Sequence, residues 1–235
     1  MPVKRFKLYH YPASRSARVR WLLHELLEDD FDIEVVQLYA GEQYDEHYLA
    51  RNPNHNVPAL EMTLENGESF SMLESGAMVS LLADMFPERG LAPPPDCFSI
   101  ARADYLQMLH FGASWMDMML WQIRIHTHLL DKDNDPRTIA RYEHKMRTEV
   151  EPQLVGRLGS HAHICGDSFS AADCVMGQNV LWARAYGLCQ GDRFGEYVAR
   201  LAERPAFNKA YSDLGGFSLA PPASGDDTQS GRFTG

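Results

Sequence analysis

Cysteine is scarce in this chain. Four residues, Cys97, Cys165, Cys174 and Cys189, stand among 235, with no Cys-x-x-Cys pair and nothing near the density of a secreted disulfide scaffold. They read as reduced and mostly structural. Long apolar runs are missing too: no stretch approaches the roughly 20 residues needed to cross a bilayer. Met1-Pro2-Val3-Lys4-Arg5 leads into a strand without a signal-peptide core. The expectation is a cytoplasmic protein with no membrane partner. Basic residues are in deficit, 22 Lys and Arg against 32 Asp and Glu, for a formal net charge of -10. That balance argues against nucleic acid or an anionic lipid surface as the main partner. No internal repeat is present. Metal sets are lacking as well, because His126-Thr127-His128 and His161-Ala162-His163 place i and i+2 on different helix faces and no cysteine or carboxylate completes a set. No metal is expected.

What is present is ordinary for a globular protein, 45% hydrophobic and 23% charged residues, in a chain long enough for one or two domains and a sizeable core. Phe6 to His10 alternates as a strand, and Tyr11-Pro12-Ala13-Ser14-Arg15 breaks it. From Ser16 the apolar positions Val19, Leu22, Leu23, Leu26 and Leu27 fall at helical spacing, with Arg18, Arg20, Glu25 and Glu28 on the other faces. Phe31 to Val36 reads as a strand, and Glu42 to Leu49 as a short polar helix. Ala59 to Leu64 and Glu68 to Met72, joined by Glu65-Asn66-Gly67, make a hairpin. Glu74 to Met85 is a helix with Met78, Leu81, Leu82 and Met85 on one face. Pro87, Pro93, Pro94 and Pro95 stiffen a linker over 87–97. Beyond it the patterns predict only helices: Ile100 to Leu130, Asp135 to Leu158, Ser170 to Tyr186, Gly191 to Ala202 and Pro205 to Leu214. The tail from Gly215 has little to bury and reads as flexible, with its first residues able to fold back over a site.

The segment Asn52-Pro53-Asn54-His55-Asn56-Val57-Pro58-Ala59-Leu60 stands out, because Pro58 enters a strand directly and restrains Val57 to an extended backbone. A proline there can be cis, and it leaves the Val57 peptide free to pair outside its own sheet. Together with Leu73-Glu74-Ser75-Gly76-Ala77 at a helix start, this order resembles the glutathione-binding signature of the glutathione S-transferase superfamily. A third matching piece is the turn carrying Ser14. A fourth is Gly166-Asp167-Ser168-Phe169-Ser170-Ala171-Ala172-Asp173, where Ser170 and Asp173 have capping-box spacing after a staple-like Phe169. The resemblance covers most of the chain. It implies a thioredoxin-like α/β domain over 1–86, the linker 87–97, an all-helical domain over 98–214 and a tail over 215–235.

Roles for single residues follow from that resemblance. The Val57 backbone before Pro58 would pair with the cysteinyl unit of glutathione as an added strand. Ser75 would hold the γ-glutamyl carboxylate at a helix N-terminus, and Glu74 would face the ammonium. Ser14 sits where the serine of theta-like and related bacterial transferases sits, and would stabilise the thiolate. Ser16, Tyr9 and Tyr11 are rivals for that role, while the tyrosine of the tyrosine-type enzymes is replaced here by His10. The basic residue that often precedes Val-Pro is replaced by Asn56, so His55 or Arg51 is needed to help hold the glycyl carboxylate. Arg15 and Arg18 can steer the anionic tripeptide, stay solvated, or pair across a domain interface. Trp115 to Trp121 is soft apolar surface suited to an adaptable pocket, or to core or dimer packing.

The reading is a glutathione transferase: glutathione as co-substrate, a small hydrophobic electrophile as partner, and a homodimer by family resemblance. Two other readings stay open. One is glutathione-dependent reduction or ether cleavage, although the cysteine-type version needs a cysteine near the first helix and this chain has none before Cys97. The other is a non-catalytic regulator or scaffold on the same fold.

Overall fold

A computed structural model of the chain describes residues 2–96 and 98–213. Cys97 and the expected tail lie outside the described residues. Four strands, β1 (Val3–His10), β2 (Asp32–Val35), β3 (Ala59–Leu64) and β4 (Ser69–Met72), form one mixed sheet in the order β2-β1-β3-β4. β1 and β2 are parallel, with Leu8 beside Ile33, and α1 (Ser16–Leu27) makes the crossover between them. β3 runs antiparallel to β1, with Ala59 opposite Tyr9, and β4 antiparallel to β3, with Met72 opposite Leu60. This is the β-α-β-α-β-β-α order that the patterns predict.

α1 buries Val19, Leu22, Leu23 and Leu26, together with Trp21. Arg18 departs from its expected solvent face and is fully buried, held by polar partners from the helical region described below. The predicted helix over Glu42 to Leu49 is broken at Asp45 into a 3-10 turn, Glu42–Tyr44, and a single helical turn, α2 (Glu46–Leu49). α3 (Ser75–Met85) buries Met78 and Leu82, but Val79 takes the inner place expected of Leu81, which is 37% exposed. Glu74 itself is the residue before the helix.

From Ile100 on, the described chain is helical. α4 (Ile100–His110) opens on Ser99, whose hydroxyl accepts from Arg102 N at 3.0 Å. It continues through a π-helical segment, Phe111–Met116, into α5 (Asp117–Arg124) and a second, Ile125–Leu129. α6 (Pro136–Lys145), a π-helical segment (Met146–Val150) and α7 (Glu151–Ser160) follow. α8 (Ala171–Ala185), α9 (Asp192–Ala202) and α10 (Pro205–Ala210) complete the described part, and α10 stops short of its expected end.

α8 is the axis of this region, buried along nearly all its length. It starts on the predicted capping box: Asp173 accepts from Ser170 N at 2.8 Å, and its carboxylate also takes Ile164 N at 3.0 Å and the Tyr197 hydroxyl at 2.8 Å. One continuous apolar core joins sheet and helices. Trp21 on α1 is a main bridge, its ring 5.4 Å from Phe169, 5.0 Å from Phe207 and 6.2 Å from Tyr211. A bidentate Arg102–Asp84 pair and the Ala171 N to Leu91 O bond of 2.7 Å tie the expected linker down on both sides.

Candidate functional site

Strand directions gather the motifs at one edge. β1 ends there at His10, β3 begins there at Ala59, and β4 ends there at Met72, so three loops meet: 11–15, 52–58 and 73–74. A buried cluster of Tyr9, Val36, Tyr48, Val57 and Ala59, with Tyr11, Leu38 and Leu73 packed on it, holds the loops together. Three of the four sequence-predicted pieces therefore share an edge: the Ser14 turn, Val57 with Pro58, and Glu74 with Ser75. A cavity of ≈ 480 Å³, bordered by residues 3–6, 29–32, Leu27 and Phe86, lies at the other end of β1 and shares no residue with this edge.

The Val57–Pro58 peptide is cis. β3 pairs with β1 only from Ala59 onward, so the Val57 peptide sits outside the ladder at the mouth of the loop. The loop is braced from within. Tyr48 OH and Asn52 Nδ2 donate to Asn56 O at 2.6 and 2.7 Å, and Asn52 Nδ2 also reaches Asn56 Oδ1 at 3.0 Å. Asn56 is exposed and keeps its own amide N–H groups as donors. His55, also exposed, has a φ of 45° and lies 4.9 Å from the Tyr44 ring. Arg51 is committed to other groups, donating to the Tyr9 hydroxyl at 2.5 Å and to His47 O at 2.7 Å, with Glu61 3.5 Å away.

Glu74 is exposed and has a φ of 71°, an unusual conformation for a residue with a side chain, of the kind that collects at ligand-holding turns. Ser75, at the first turn of α3, is buried, and its Oγ accepts from Arg18 Nη1 at 3.2 Å. The Ser75 O–H thus remains the group that can donate outward. Arg18 also donates from Nε to Gln178 Oε1 at 2.8 Å and from Nη2 to Asp117 and Asn179. Asp117 is further bound by Arg15, through Nε at 2.9 Å and Nη2 at 2.6 Å. Of the alternatives open for Arg15 and Arg18, ion pairing between the sheet side and the helices is what the structure contains. Burial pushes the Asp117 carboxyl up, but Arg18 and then Arg15 outweigh it and hold it below the usual carboxylate range. Burial lowers the Arg18 pKa, with Asp117 opposing.

Ser14 precedes α1, half-buried, after Ala13 at φ 57°. Its Oγ donates to Tyr11 O at 2.7 Å, accepts from Ser16 N at 3.2 Å and lies 2.6 Å from Ser16 Oγ. Ser16 Oγ in turn sits 2.7 Å from His10 Nδ1 and accepts from Tyr11 N at 3.2 Å. His10 Nε2 is 2.9 Å from Asp213 Oδ2, and Arg20 Nη1 bonds the same carboxylate oxygen. His10 and Ser16 are both fully buried, between the half-buried Ser14 at one end of the series and the exposed Asp213 at the other. Burial lowers the His10 pKa, with Asp213 pulling it up and Arg20 pushing it down.

The tyrosine rivals stand differently. Tyr9 is fully buried, edge-on to Tyr48 at 5.6 Å. Tyr11 lies half-buried, edge-on to Tyr39 at 5.6 Å, and burial, then Tyr39, raises its pKa. Arg124 from α5 donates to Tyr39 OH at 2.8 Å, and the Arg15 guanidinium lies 4.7 Å from the Trp121 ring centre and 5.4 Å from that of Trp182. Tyr11 on the Ser14 turn, Tyr39 from the short 3-10 turn after β2, and Trp121 and Arg124 from α5 thus form a half-buried band beside that turn. In the Trp115 to Trp121 stretch, Met116, Met119 and Leu120 are core, while Trp115 is 40% exposed with Lys145 over its ring.

Among the described residues no group of three or more His, Cys, Asp or Glu side chains gathers as metal ligands would. His126 Nδ1 instead accepts from Asp135 N at 3.0 Å. Sequence reasoning missed His10, Asp213, Gln178 and Asn179; each acts through a partner far away in the chain, and no local spacing announces it.

The arrangement defines a class: a thioredoxin-like sheet carrying a three-loop edge, covered by a helical region. Comparison with known proteins makes it specific. Residues 8–90 match the family description "Glutathione S-transferase, N-terminal domain". The chain is 28% identical over 214 residues to glutathione S-transferase GstA of Escherichia coli O157:H7, an alignment covering 89% of this chain and 98% of that protein. A sphingomonad glutathione S-transferase, solved in complex with glutathione, superposes with a TM-score of 0.73 at 25% identity, covering 88% of this chain and 97% of that one. A glutathione transferase family member from Pseudomonas fluorescens, solved with two glutathione bound, gives a TM-score of 0.74 at 21% identity, covering 88% and 92%. Residues 8–90 carry the N-terminal domain of the glutathione S-transferase family, and the chain along most of its length is similar to glutathione S-transferases.

Proposed function

We propose that this protein is a serine-type glutathione transferase that conjugates the glutathione thiolate to a hydrophobic electrophile. The observation that carries the reading is the position of the Ser14 hydroxyl: half-buried, at the N-terminus of α1, and on the same sheet edge as Val57, Glu74 and Ser75. Glutathione extends along that edge. Its cysteinyl unit pairs with the Val57 peptide ahead of cis-Pro58, as a short added strand. The γ-glutamyl carboxylate meets the Ser75 O–H and the free N–H groups of α3, while Glu74 faces the ammonium. The glycyl carboxylate is met by the Asn56 amide with His55 beside it, since Arg51 is occupied by Tyr9, His47 and Glu61.

The thiol then lies at Ser14. A free thiol has a pKa of about 8.5, and each unit of depression needs about 1.4 kcal/mol of preferential binding of the anion. A charge-assisted hydrogen bond from Ser14 Oγ and the positive end of α1 supply one to two such units. The thiolate attacks an electrophile held against Tyr11, Tyr39 and Trp121, an S–C bond forms, and the leaving group departs with its electron pair. Acceleration comes from thiolate stabilisation and proximity. No thiol among the described residues takes part: those cysteines are Cys165, Cys174 and Cys189, and burial pushes the Cys165 pKa to about 12 and the other two upward as well. That observation disfavours thiol-disulfide exchange through the protein. We place the boundary between the two domains in the proline-rich segment 87–97, and the working unit as a cytoplasmic homodimer.

Steady-state conjugation of reduced glutathione to a chromogenic aryl halide tests the proposal. The wild type is expected to turn over, and Ser14→Ala to lose about tenfold to a hundredfold in kcat/KM, one to two units of thiol pKa. Equal rates in the two proteins would remove Ser14 from the mechanism.

A further inference from the structure

Four side chains from two parts of the chain, residues 10–16 and Asp213, form a single hydrogen-bonded file whose middle is buried: Ser14, Ser16, His10 and Asp213. We infer that this file is a proton relay, in which His10, held by Asp213, takes up the proton that the glutathione thiol gives up at Ser14. The inference rests on the transferase reading and adds an acceptor for the proton, which that reading leaves unassigned.

Donor and acceptor accounting supports it. The Asp213 carboxylate accepts from Arg20 and lies 2.9 Å from His10 Nε2, so the ring carries its proton on Nε2 and presents Nδ1 as an acceptor. Ser16 O–H then donates to Nδ1 across 2.7 Å, the shorter of its two options, the other being Tyr11 O at 3.1 Å, and Ser16 Oγ accepts from Tyr11 N. Ser14 O–H can donate to Ser16 Oγ across 2.6 Å or to Tyr11 O at 2.7 Å, while Ser14 Oγ accepts from Ser16 N. One lone pair of Ser14 is left for an incoming S–H.

The transfer balances. The S–H proton moves to Ser14 Oγ, the Ser14 proton to Ser16 Oγ and the Ser16 proton to His10 Nδ1. One S–H bond breaks, one N–H bond forms, and both hydroxyls end as they began. Every hydrogen bond between the thiol and His10 Nδ1 has reversed, while Nε2–H still donates to Asp213: imidazolium donates to Ser16, Ser16 to Ser14, and Ser14 to the thiolate it has just formed. The hydroxyl that stabilises the thiolate is therefore turned towards it by the same event. Charged groups facing the ring are Asp213, from the stretch after α10, and Arg20, from α1. In the free protein burial outweighs Asp213 and keeps the ring neutral, able to accept; once the proton has moved, the Asp213 carboxylate at 2.9 Å and the new thiolate at Ser14 together favour the imidazolium, against Arg20 at 3.4 Å. His10 and Ser16 have no exposed surface, so water cannot stand in for either. By geometry and roles this is a base oriented by an acid, with two hydroxyls in series in front of it.

Proton counting tests the relay. Reduced glutathione is titrated calorimetrically into the wild type at neutral pH in buffers of different ionisation enthalpy, which gives the protons released. Ultraviolet thiolate absorbance on the same samples gives the thiolates formed, and S-methylglutathione, which has no thiol, sets the baseline. The relay predicts thiolate formation with close to no proton released per thiolate. In Ser16→Ala the thiolate fraction is expected to fall about tenfold, one pKa unit, and whatever forms releases its proton to the buffer. Asp213→Asn, altered at a partly exposed side chain, is expected to show the same loss of retention even where Ser16→Ala folds poorly. One proton released per thiolate in the wild type, or wild-type retention in both variants, overturns the relay while leaving the transferase reading intact. Absence of any glutathione binding heat in the wild type removes both.

Discussion

Replacing Asp117 by Asn probes the joint on which the site is mounted. The Asp117 carboxylate is 5% exposed and takes donors from Arg15 and Arg18, while Arg18 is 0% exposed. The amide keeps the volume but removes the only carboxylate that, among the described residues, bonds the Arg18 guanidinium; Gln178, Asn179 and Ser75 are neutral. Stranding a buried charge in this way costs about 3–5 kcal/mol, and the preserved shape places this case near 3. For a chain of this size that corresponds to a fall in Tm of about 10 °C. The sign with pH is fixed too. Asp117 has a depressed native pKa, so its contribution is full above the unfolded value of about 3.9 and fades as pH falls through the native one. The variant is expected to show a flatter acid limb. Urea unfolding measures the loss, with Glu196→Gln as comparison: its pair with Arg193 has side chains 55% and 54% exposed, and about 0.5 kcal/mol or less is expected there. A loss below about 1 kcal/mol in Asp117→Asn, with an unchanged m-value, would refute the idea that this pair holds the two halves in register.

Gly76→Ala places a Cβ 2.7 Å from the Ala113 methyl. The overlap should cost about 1–3 kcal/mol, more than helix propensity returns, in thermal melts. His10 is buried with a pKa below its ordinary value, so its neutral form stabilises the fold fully above about pH 6.5 and that share is lost as pH falls through the native pKa. Urea midpoints between pH 7 and 5 should decline in the wild type and decline less in His10→Gln. Truncating Tyr39 to Phe removes the bond from Arg124 at 2.8 Å. Its KM for an aromatic electrophile should change several-fold while glutathione affinity holds, in steady-state kinetics with each substrate varied.

Much of the fold is readable in the sequence because local chemistry and packing agree there. The Ala59 to Leu64 strand, the Ser170–Asp173 capping box and the helix start at Pro205 each carry a start signal, and each is found where it is expected. The failures share one cause. Arg18 sits at a helical position that reads as solvent-facing, yet α8 supplies Gln178 and Asn179 from 160 residues and more away. Leu81 is apolar at core spacing but exposed, because α3 turns Val79 and Leu82 inward instead. Asp45 interrupts the short polar helix with an extended backbone that no propensity sum contains. At the site, Ser14, Val57 and Ser75 are visible as motif residues. His10 and Asp213 become visible only when a strand end and the stretch after the last described helix are brought within 2.9 Å.

The most direct test of the central claim is a calorimetric titration of the purified protein with reduced glutathione, repeated on Ser75→Ala. The account predicts saturable binding in the wild type and an affinity reduced about tenfold or more in the variant, the loss of one hydrogen bond to a charged carboxylate. Undetectable binding at millimolar glutathione in the folded wild type would contradict it.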